Sequence, residues 1–147
     1  MIIYKEERDI AAPDSHVYDI IANISEYHLW NPWICDASGE VTVGKTLLVK
    51  AVLGKSRPVF THKMLAAERP SLFHWCDVGW FTVFAYGQRI RHIKQSKDNQ
   101  CVYTVELKVS GVAAFMANLI FGKFMRDGLN AEADALKRYA EKTYQNT

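Results

Sequence analysis

The 147-residue sequence has neither a run of like charges nor a strong excess of one sign. Its 18 lysine and arginine residues face 16 acidic residues, which gives a net charge of +2. Nucleic-acid-binding proteins usually carry a basic patch or stripe, so this balance excludes nucleic acid as an expected partner. Hydrophobic residues make up 49% and charged residues 23%, which is typical of a globular protein with a real core. We expect one domain over residues 1–147.

A long hydrophobic run is also missing. The first residues, MIIYKEERDI, reach a charge at Lys5, too early for the apolar part of a signal peptide. The apolar stretch from Val112 to Phe121 has ten residues, whereas a membrane-spanning helix needs about 20. Together with an odd number of cysteines, these absences predict a soluble, cytoplasmic protein.

Catalytic, cofactor and metal signatures are missing as well. No G-x-S-x-G, H-E-x-x-H, P-loop or G-x-G-x-x-G pattern occurs. The three cysteines, Cys35, Cys76 and Cys101, form no C-x-x-C pair. His74 and Cys76 would be half of a zinc site, but no second pair follows at ligand spacing. We therefore expect no metal and no cofactor, and favour a non-enzymatic binding protein over an enzyme.

The segments that are present begin with a strand and two small helices. IIYKEERDI reads as the first strand, Asp14 is expected to cap a helix, and Ser25 is expected to cap a second, short one. The segment YHLWNPWIC then places a tryptophan on each side of Asn31-Pro32, which stops the helix. A corner that carries two indoles indicates a buried helix-to-strand junction.

Residues 34–111 have the alternating pattern of strands, broken by glycine, proline and the segment KDNQ. The clearest alternation is YTVELKV, in which Tyr103 and Val105 alternate with Thr104 and Glu106. Because the gaps are of hairpin size, we expect an antiparallel meander with one apolar face. The segment VGWFTVF (78–84) is open to two interpretations, a lid over a cavity or a buried strand.

The C-terminal segment from 112 to about 143 predicts one long helix with two different halves. The second half is amphipathic, with Glu132 and Asp134 assigned to its charged side and Leu129 to the other. The first half, VAAFMANLIFGKFM, is apolar nearly all round. Such a segment requires cover from the protein itself, a ligand, a partner or a membrane surface.

These segments resemble the START-like/Bet v 1-like (SRPBCC) superfamily, in particular its polyketide cyclase/dehydrase-type branch of small bacterial proteins. The resemblance is carried by WNPW (30–33), AAERPSLFHW (66–75), VSG (109–111) and GLNAEADALKRYAE (128–141). It implies an α+β helix-grip fold, in which a curved antiparallel sheet of about six or seven strands wraps round the long C-terminal helix. It also implies a deep apolar cavity between sheet and helix, closed at the corner by Trp30 and Trp33.

Polar residues at inward positions are the candidates for chemistry in such a cavity. His62 and Arg89 are the candidate catalytic groups, as an acid/base or an oxyanion-stabilising residue. The pattern GQRIRHIKQ puts Arg89 and Arg91 inside in one register, whereas a one-residue bulge would instead turn Ile90 and His92 inward. The predicted ligand-binding positions are Trp30, Leu47, Val49, Phe60, His62, Met64, Phe73, Trp75, Arg89, Arg91, Tyr103, Val105, Phe115 and Leu119.

Three functions remain open at this point. The first is binding, transport or sequestration of a small hydrophobic or amphipathic molecule such as a lipid, a quinone, or an aromatic or polyketide-like compound. The second is a cyclase or dehydratase, and the third is a membrane-associated or protein-interaction module that uses VAAFMANLIFGKFM. The expected partner is therefore a small molecule, with peripheral membrane contact as an alternative, and the chain would be a monomer or a homodimer.

Overall fold

The computed structural model describes residues 1–147 and contains a seven-stranded antiparallel sheet. The strands are β1 (Ile2–Ile10), β2 (Ile34–Gly39), β3 (Thr46–Ala51), β4 (Val59–Glu68), β5 (Leu72–Asp77), β6 (Tyr86–Lys97) and β7 (Gln100–Ser110). Their order in the sheet is β1-β7-β6-β5-β4-β3-β2. Strands β2 to β7 therefore form the predicted meander, and β1 pairs with β7 as an edge strand.

Two α-helices complete the fold, α1 (Asp14–Ala22) and α2 (Ala114–Gln145). Two short 3-10 helices, Ile24–Leu29 and Trp80–Val83, lie in the connections. The sheet curls round α2, so the α+β helix-grip fold is confirmed. No helix in the chain is both long enough and apolar enough to cross a membrane.

The inward face of the sheet follows the predicted alternation. Val105 and Val109 on β7 are buried, whereas Glu106 and Lys108 are half-buried and form an ion pair of 3.8 Å on the other face. On β6, Arg89 pairs with Leu107 across the ladder, and the only irregularity lies at 95–97. Of the two registers that the sequence left open, the structure has the one with Arg89 and Arg91 inside, since both side chains are buried and no bulge lies beside them.

The Asn31-Pro32 corner is built by the Asn31 side chain. Its Oδ1 accepts hydrogen bonds from the backbone N–H groups of Trp33 (2.9 Å) and Ile34 (2.8 Å). Its Nδ2 donates to Glu132 Oε2 on α2 at 3.0 Å. One buried amide thus connects the start of β2 to the long helix, because it satisfies backbone donors that proline and the turn leave free.

Three predictions about helices need correction. Asp14 is the first residue of α1 rather than its cap, and its carboxylate accepts a hydrogen bond from Ser15 N. Ser25 forms no cap either, since its hydroxyl donates to Asn23 Oδ1. Glu132 is 1% exposed and does not belong to the charged side of α2. It faces the sheet, because two arginines and Asn31 provide the partners that a buried carboxylate requires.

Candidate ligand cavity

A cavity of about 450 Å³ lies between the sheet and α2, and most of its wall is apolar. Its sheet side includes Val49, Leu107 and Val109, and its helix side includes Ala117, Phe121 and Met125. The three helix residues are four positions apart and therefore share one face of α2. Side chains on alternate strand positions and on one helical stripe thus line a single apolar space.

Polar side chains gather in one part of the wall: His62, Asp77, Gln88 and Arg89. His62 Nδ1 lies 3.2 Å from Asp77 Oδ1, an ion-pair distance without hydrogen-bond alignment. Asp77 Oδ2 accepts a hydrogen bond of 3.0 Å from the backbone N–H of Gly87. A Cβ at residue 87 would meet this oxygen at 2.4 Å. Glycine is therefore needed on β6 for the carboxylate to reach His62.

The His62 ring is held by Trp75. The two rings are stacked, with centroids 5.1 Å apart and planes only 3° from parallel. A carboxylate beside one nitrogen and an indole against the ring face fix the orientation of the imidazole. This arrangement is suited to holding or moving a proton at the cavity wall.

Arg89 also belongs to a buried group that extends behind the wall and that we name the arginine–glutamate cluster: Arg89, Arg91 and Glu132. Arg91 Nη2 donates to Glu132 Oε1 at 2.9 Å, and Arg89 Nη1 donates to Glu132 Oε2 at 3.3 Å. Burial on its own would raise the pKa of the Glu132 carboxyl, but the charges of Arg91 and Arg89 lower it below its ordinary value. The cluster is therefore ionic, with two positive charges and one negative charge.

Two tyrosines border this cluster and stay neutral. Burial raises the pKa of Tyr103 to about 12 and raises the pKa of Tyr27 further. The Tyr103 hydroxyl and Arg91 Nη1 have no hydrogen-bond partner among the groups of the protein. Neither tyrosine thus supplies a second negative charge to balance the second arginine.

Aromatic rings hold both guanidinium groups. The Arg89 guanidinium carbon lies 4.3 Å from the ring centroid of Trp33 and 5.6 Å from that of Trp75. Arg91 lies 4.7 Å from the Trp75 centroid. Such cation–π contacts partly replace the water that a buried guanidinium loses.

Only one of the two corner tryptophans lies at the cavity, where both were expected. Trp33 lines the cavity, whereas Trp30 does not. Trp30 stacks on Tyr139 of α2 at 6.1 Å and borders a separate surface pocket of about 230 Å³. Asn31 and Pro32 turn the chain between them, so only the second indole reaches the sheet side of the corner. The prediction that Trp30 lies at the cavity is therefore wrong.

Five of the predicted ligand-binding residues line the cavity: Val49, Phe60, His62, Trp75 and Arg89. Six others are buried but lie outside its wall: Leu47, Met64, Phe73, Arg91, Tyr103 and Val105. Phe115 and Leu119 are 62% and 63% exposed and point away from it. The helix contributes the residues at 117, 121 and 125 instead, because α2 is rotated relative to the expected face. The six buried residues outside the wall thus belong to the interior of the fold rather than to the cavity.

Sequence reasoning missed the roles of Asp77 and Glu132, whereas it placed Trp33 at the corner of the cavity. The sequence does contain a pattern that indicates burial of Glu132. This residue lies three positions from Leu129 and four from Leu136, which are both buried, so the three share one face of the helix. No sequence pattern indicates the role of Asp77, because its contact with His62 depends on how β4 and β5 pair. A register shift between Met64 and Ala66 sets that pairing.

The segment VGWFTVF forms the 3-10 helix Trp80–Val83 at the cavity mouth rather than a buried strand. Phe81 contributes to the cavity wall, and Trp80 is 80% exposed. Its end is joined to the start of α2 by a hydrogen bond of 2.8 Å from Ala113 N to Phe84 O. The residues just before α2 and in its first two turns include several that are apolar and exposed: Val112, Phe115, Met116, Leu119 and Ile120. We call this region the mouth surface.

The described residues bring together no three His, Cys, Asp or Glu side chains that could hold a metal ion. The cysteines are free, and Cys76 and Cys101 are buried. Burial raises the pKa of the Cys101 thiol to about 11.

No family model and no curated protein sequence matches the chain. Solved structures do match it. A START superfamily protein from Mycobacterium smegmatis is 16% identical, with 96% of this chain and 98% of that chain covered and a TM-score of 0.74. The chain has the START-like helix-grip fold.

Two enzymes share this START-like fold. The Zhui aromatase/cyclase from Streptomyces sp. R1128 is 12% identical, with 96% of this chain and 94% of that chain covered and a TM-score of 0.76. Norcoclaurine synthase from Thalictrum flavum, solved in complex with dopamine and hydroxybenzaldehyde, is 16% identical. The match covers 96% of this chain and 87% of that chain, with a TM-score of 0.70. At these identities the likeness is one of fold, which carries no particular activity.

Proposed function

We propose that residues 1–147 form one ligand-binding domain that holds a small hydrophobic or amphipathic molecule between the sheet and α2. The observation that carries this proposal is the cavity of about 450 Å³ with apolar walls and polar groups in one part. Small-molecule sites have this combination of size, apolar lining and a few placed polar groups. Lipids, quinones, and aromatic or polyketide-like compounds have matching shape and polarity.

The fold gives this proposal further support. Norcoclaurine synthase was solved with two small aromatic molecules, and the Zhui protein is an aromatase/cyclase. Sugars and nucleotides suit the cavity poorly, because its wall offers few polar groups. Transport and sequestration both follow from binding alone, whereas catalysis requires a reacting group at the wall.

Native mass spectrometry of freshly purified protein tests the binding function. We expect an adduct of small-molecule mass that organic extraction releases and identifies. Adding the released compound back should raise the melting temperature with its concentration, because a ligand that binds only the folded state stabilises it by mass action. A melting temperature that stays constant at saturating concentrations would contradict the proposal.

A second candidate function, an acid–base enzyme of the cyclase or dehydratase type, is favoured by the His62–Asp77 pair on the cavity wall. Its test is product analysis after the protein is incubated with the identified ligand. Conversion that disappears in His62→Gln, while binding remains, would support an enzyme. A ligand recovered unchanged would leave only the binding function.

A further inference from the structure

Arg89 is the charged residue that belongs both to the cavity wall and to the arginine–glutamate cluster. It is 8% exposed, and its Nη1 donates to Glu132. Its Nε has no hydrogen-bond partner among the groups of the protein. A guanidinium has five N–H donors in a planar fork, so one bond to Glu132 leaves most of its capacity unused.

Glu132 cannot supply a second bond of the same kind. Its Oε1 accepts from Arg91, and its Oε2 accepts from both Arg89 and Asn31. Arg89, Arg91 and Glu132 are the only buried charged residues, so the interior carries one excess positive charge. A buried charge without a counter-charge is costly, and the indole of Trp33 offsets only part of that cost.

Asp77, the carboxylate on the cavity wall, is engaged elsewhere. One of its oxygens faces His62 at 3.2 Å, and the other accepts from the Gly87 N–H. It forms no ion pair with Arg89. Both oxygens of Asp77 thus face groups of the protein, whereas Arg89 on the same wall keeps an unpartnered Nε.

We propose that Arg89 is the anchor of a head-group site for a carboxylate, so that the ligand is an amphipathic acid. This inference rests on the binding function proposed above. The carboxylate of the ligand accepts hydrogen bonds from the free edge of the guanidinium and supplies the missing negative charge. The apolar body lies along Val49, Leu107 and Phe121. A fatty acid and an alkyl-substituted aromatic acid both have this chemistry.

Isothermal titration calorimetry at pH 7.5 tests the head-group site with matched compounds. The aliphatic series is decanoic acid, methyl decanoate and decan-1-ol, and the aromatic series is 4-butylbenzoic acid and its methyl ester. In at least one series we expect the wild type to bind the acid about tenfold or more tightly than its neutral partner, since charge-assisted bonds contribute that much. The aliphatic and aromatic series distinguish the two kinds of body.

Arg89→Gln should weaken binding of the acid by about tenfold or more and leave the ester within about twofold. Arg69→Gln is the control for net charge, because Arg69 is exposed and pairs with Asp19 outside the cavity. This variant should keep the preference for the acid. If Arg89→Gln does not fold, the ratio of acid to ester affinity in the wild type still decides the question.

Two results would overturn the head-group site while the binding function stands. One is equal affinity of the wild type for acid and ester in both series. The other is an Arg89→Gln variant that loses acid and ester alike, which would mean that Arg89 only shapes the cavity. Absence of binding for every compound would instead contradict the proposed function and remove the head-group site with it.

Discussion

Glu132 is the residue on which the interior polar structure depends. It is the only fully buried carboxylate, and Arg89, Arg91 and Asn31 all donate to it. Through Asn31 it also connects α2 to the corner that positions Trp33. Removing one member of a buried ion pair is more damaging than removing both, because the remaining charge keeps its desolvation cost.

We therefore expect Glu132→Gln to lower the free energy of unfolding by about 3–5 kcal/mol. Asp134→Asn is the matched control on the same helix, because its side chain is 46% exposed and pairs with Arg8 at 2.8 Å. An exposed pair of this kind contributes about 1 kcal/mol or less. Urea denaturation measures both, and equal losses would contradict the role assigned to Glu132.

The lowered pKa of Glu132 also predicts that the free energy of unfolding depends on pH. Its pKa is lower in the fold than the ordinary value of 4.5, so its ionised form stabilises the fold above that pH. This contribution is lost as the pH falls through the lowered folded pKa. The difference in unfolding free energy between wild type and Glu132→Gln should thus be full at pH 7 and shrink below pH 4.5. A difference that stays constant down to pH 3 would show that Glu132 is not charged in the fold.

At the scale of elements, the backbone of α2 at Gly128 packs directly against the indole of Trp33. A Cβ at this position would lie 2.4 Å from two ring atoms of Trp33. An alanine ordinarily stabilises a helix relative to glycine by about 0.5–1 kcal/mol. Moving the indole aside would disturb its contact with Arg89, whose guanidinium carbon lies 4.3 Å from the ring centroid.

Gly128→Ala should consequently destabilise the protein by about 1–3 kcal/mol despite the better helix propensity of alanine. Gly122→Ala is the control within the same helix. Its Cβ would meet the side-chain ends of Asn118, Arg126 and Tyr4 at 2.8–3.3 Å, and flexible side-chain ends can move. We expect little change or a small gain there by thermal denaturation. The opposite order of the two variants would contradict the observed packing of α2 on Trp33.

The elements themselves were largely predictable from the sequence, because alternation on a strand follows directly from burial of one face. The phase of β6 was the exception, because its two arginines left an inward and a bulged register open, and only the structure decides between them. The contacts between elements were not predictable. The His62–Asp77 pair depends on strand register, and the cavity face of α2 depends on how the helix is rotated about its axis.

At the scale of the whole molecule, the apolar first half of α2 has two separate environments. One face lines the cavity, and the other forms the mouth surface with the 3-10 helix Trp80–Val83. Of the kinds of cover that the sequence left open, the fold itself does not provide cover for that surface. Its use for membrane or protein contact stays a prediction.

Binding in the cavity and adsorption to the mouth surface can be separated on adjacent residues of α2. Ala117 lines the cavity, whereas Met116 is exposed on the mouth surface. Ala117→Trp fills the cavity, and Met116→Trp adds the same indole outside it. The two variants therefore form a matched pair.

The most direct measurement is titration of wild type, Ala117→Trp and Met116→Trp with the fluorescent apolar probe N-phenyl-1-naphthylamine. If the cavity holds the ligand, the wild type and Met116→Trp bind one probe per chain, and Ala117→Trp loses about tenfold or more in affinity because its cavity is filled. Unchanged binding by a folded Ala117→Trp protein would place the probe on the mouth surface and contradict a ligand-binding cavity.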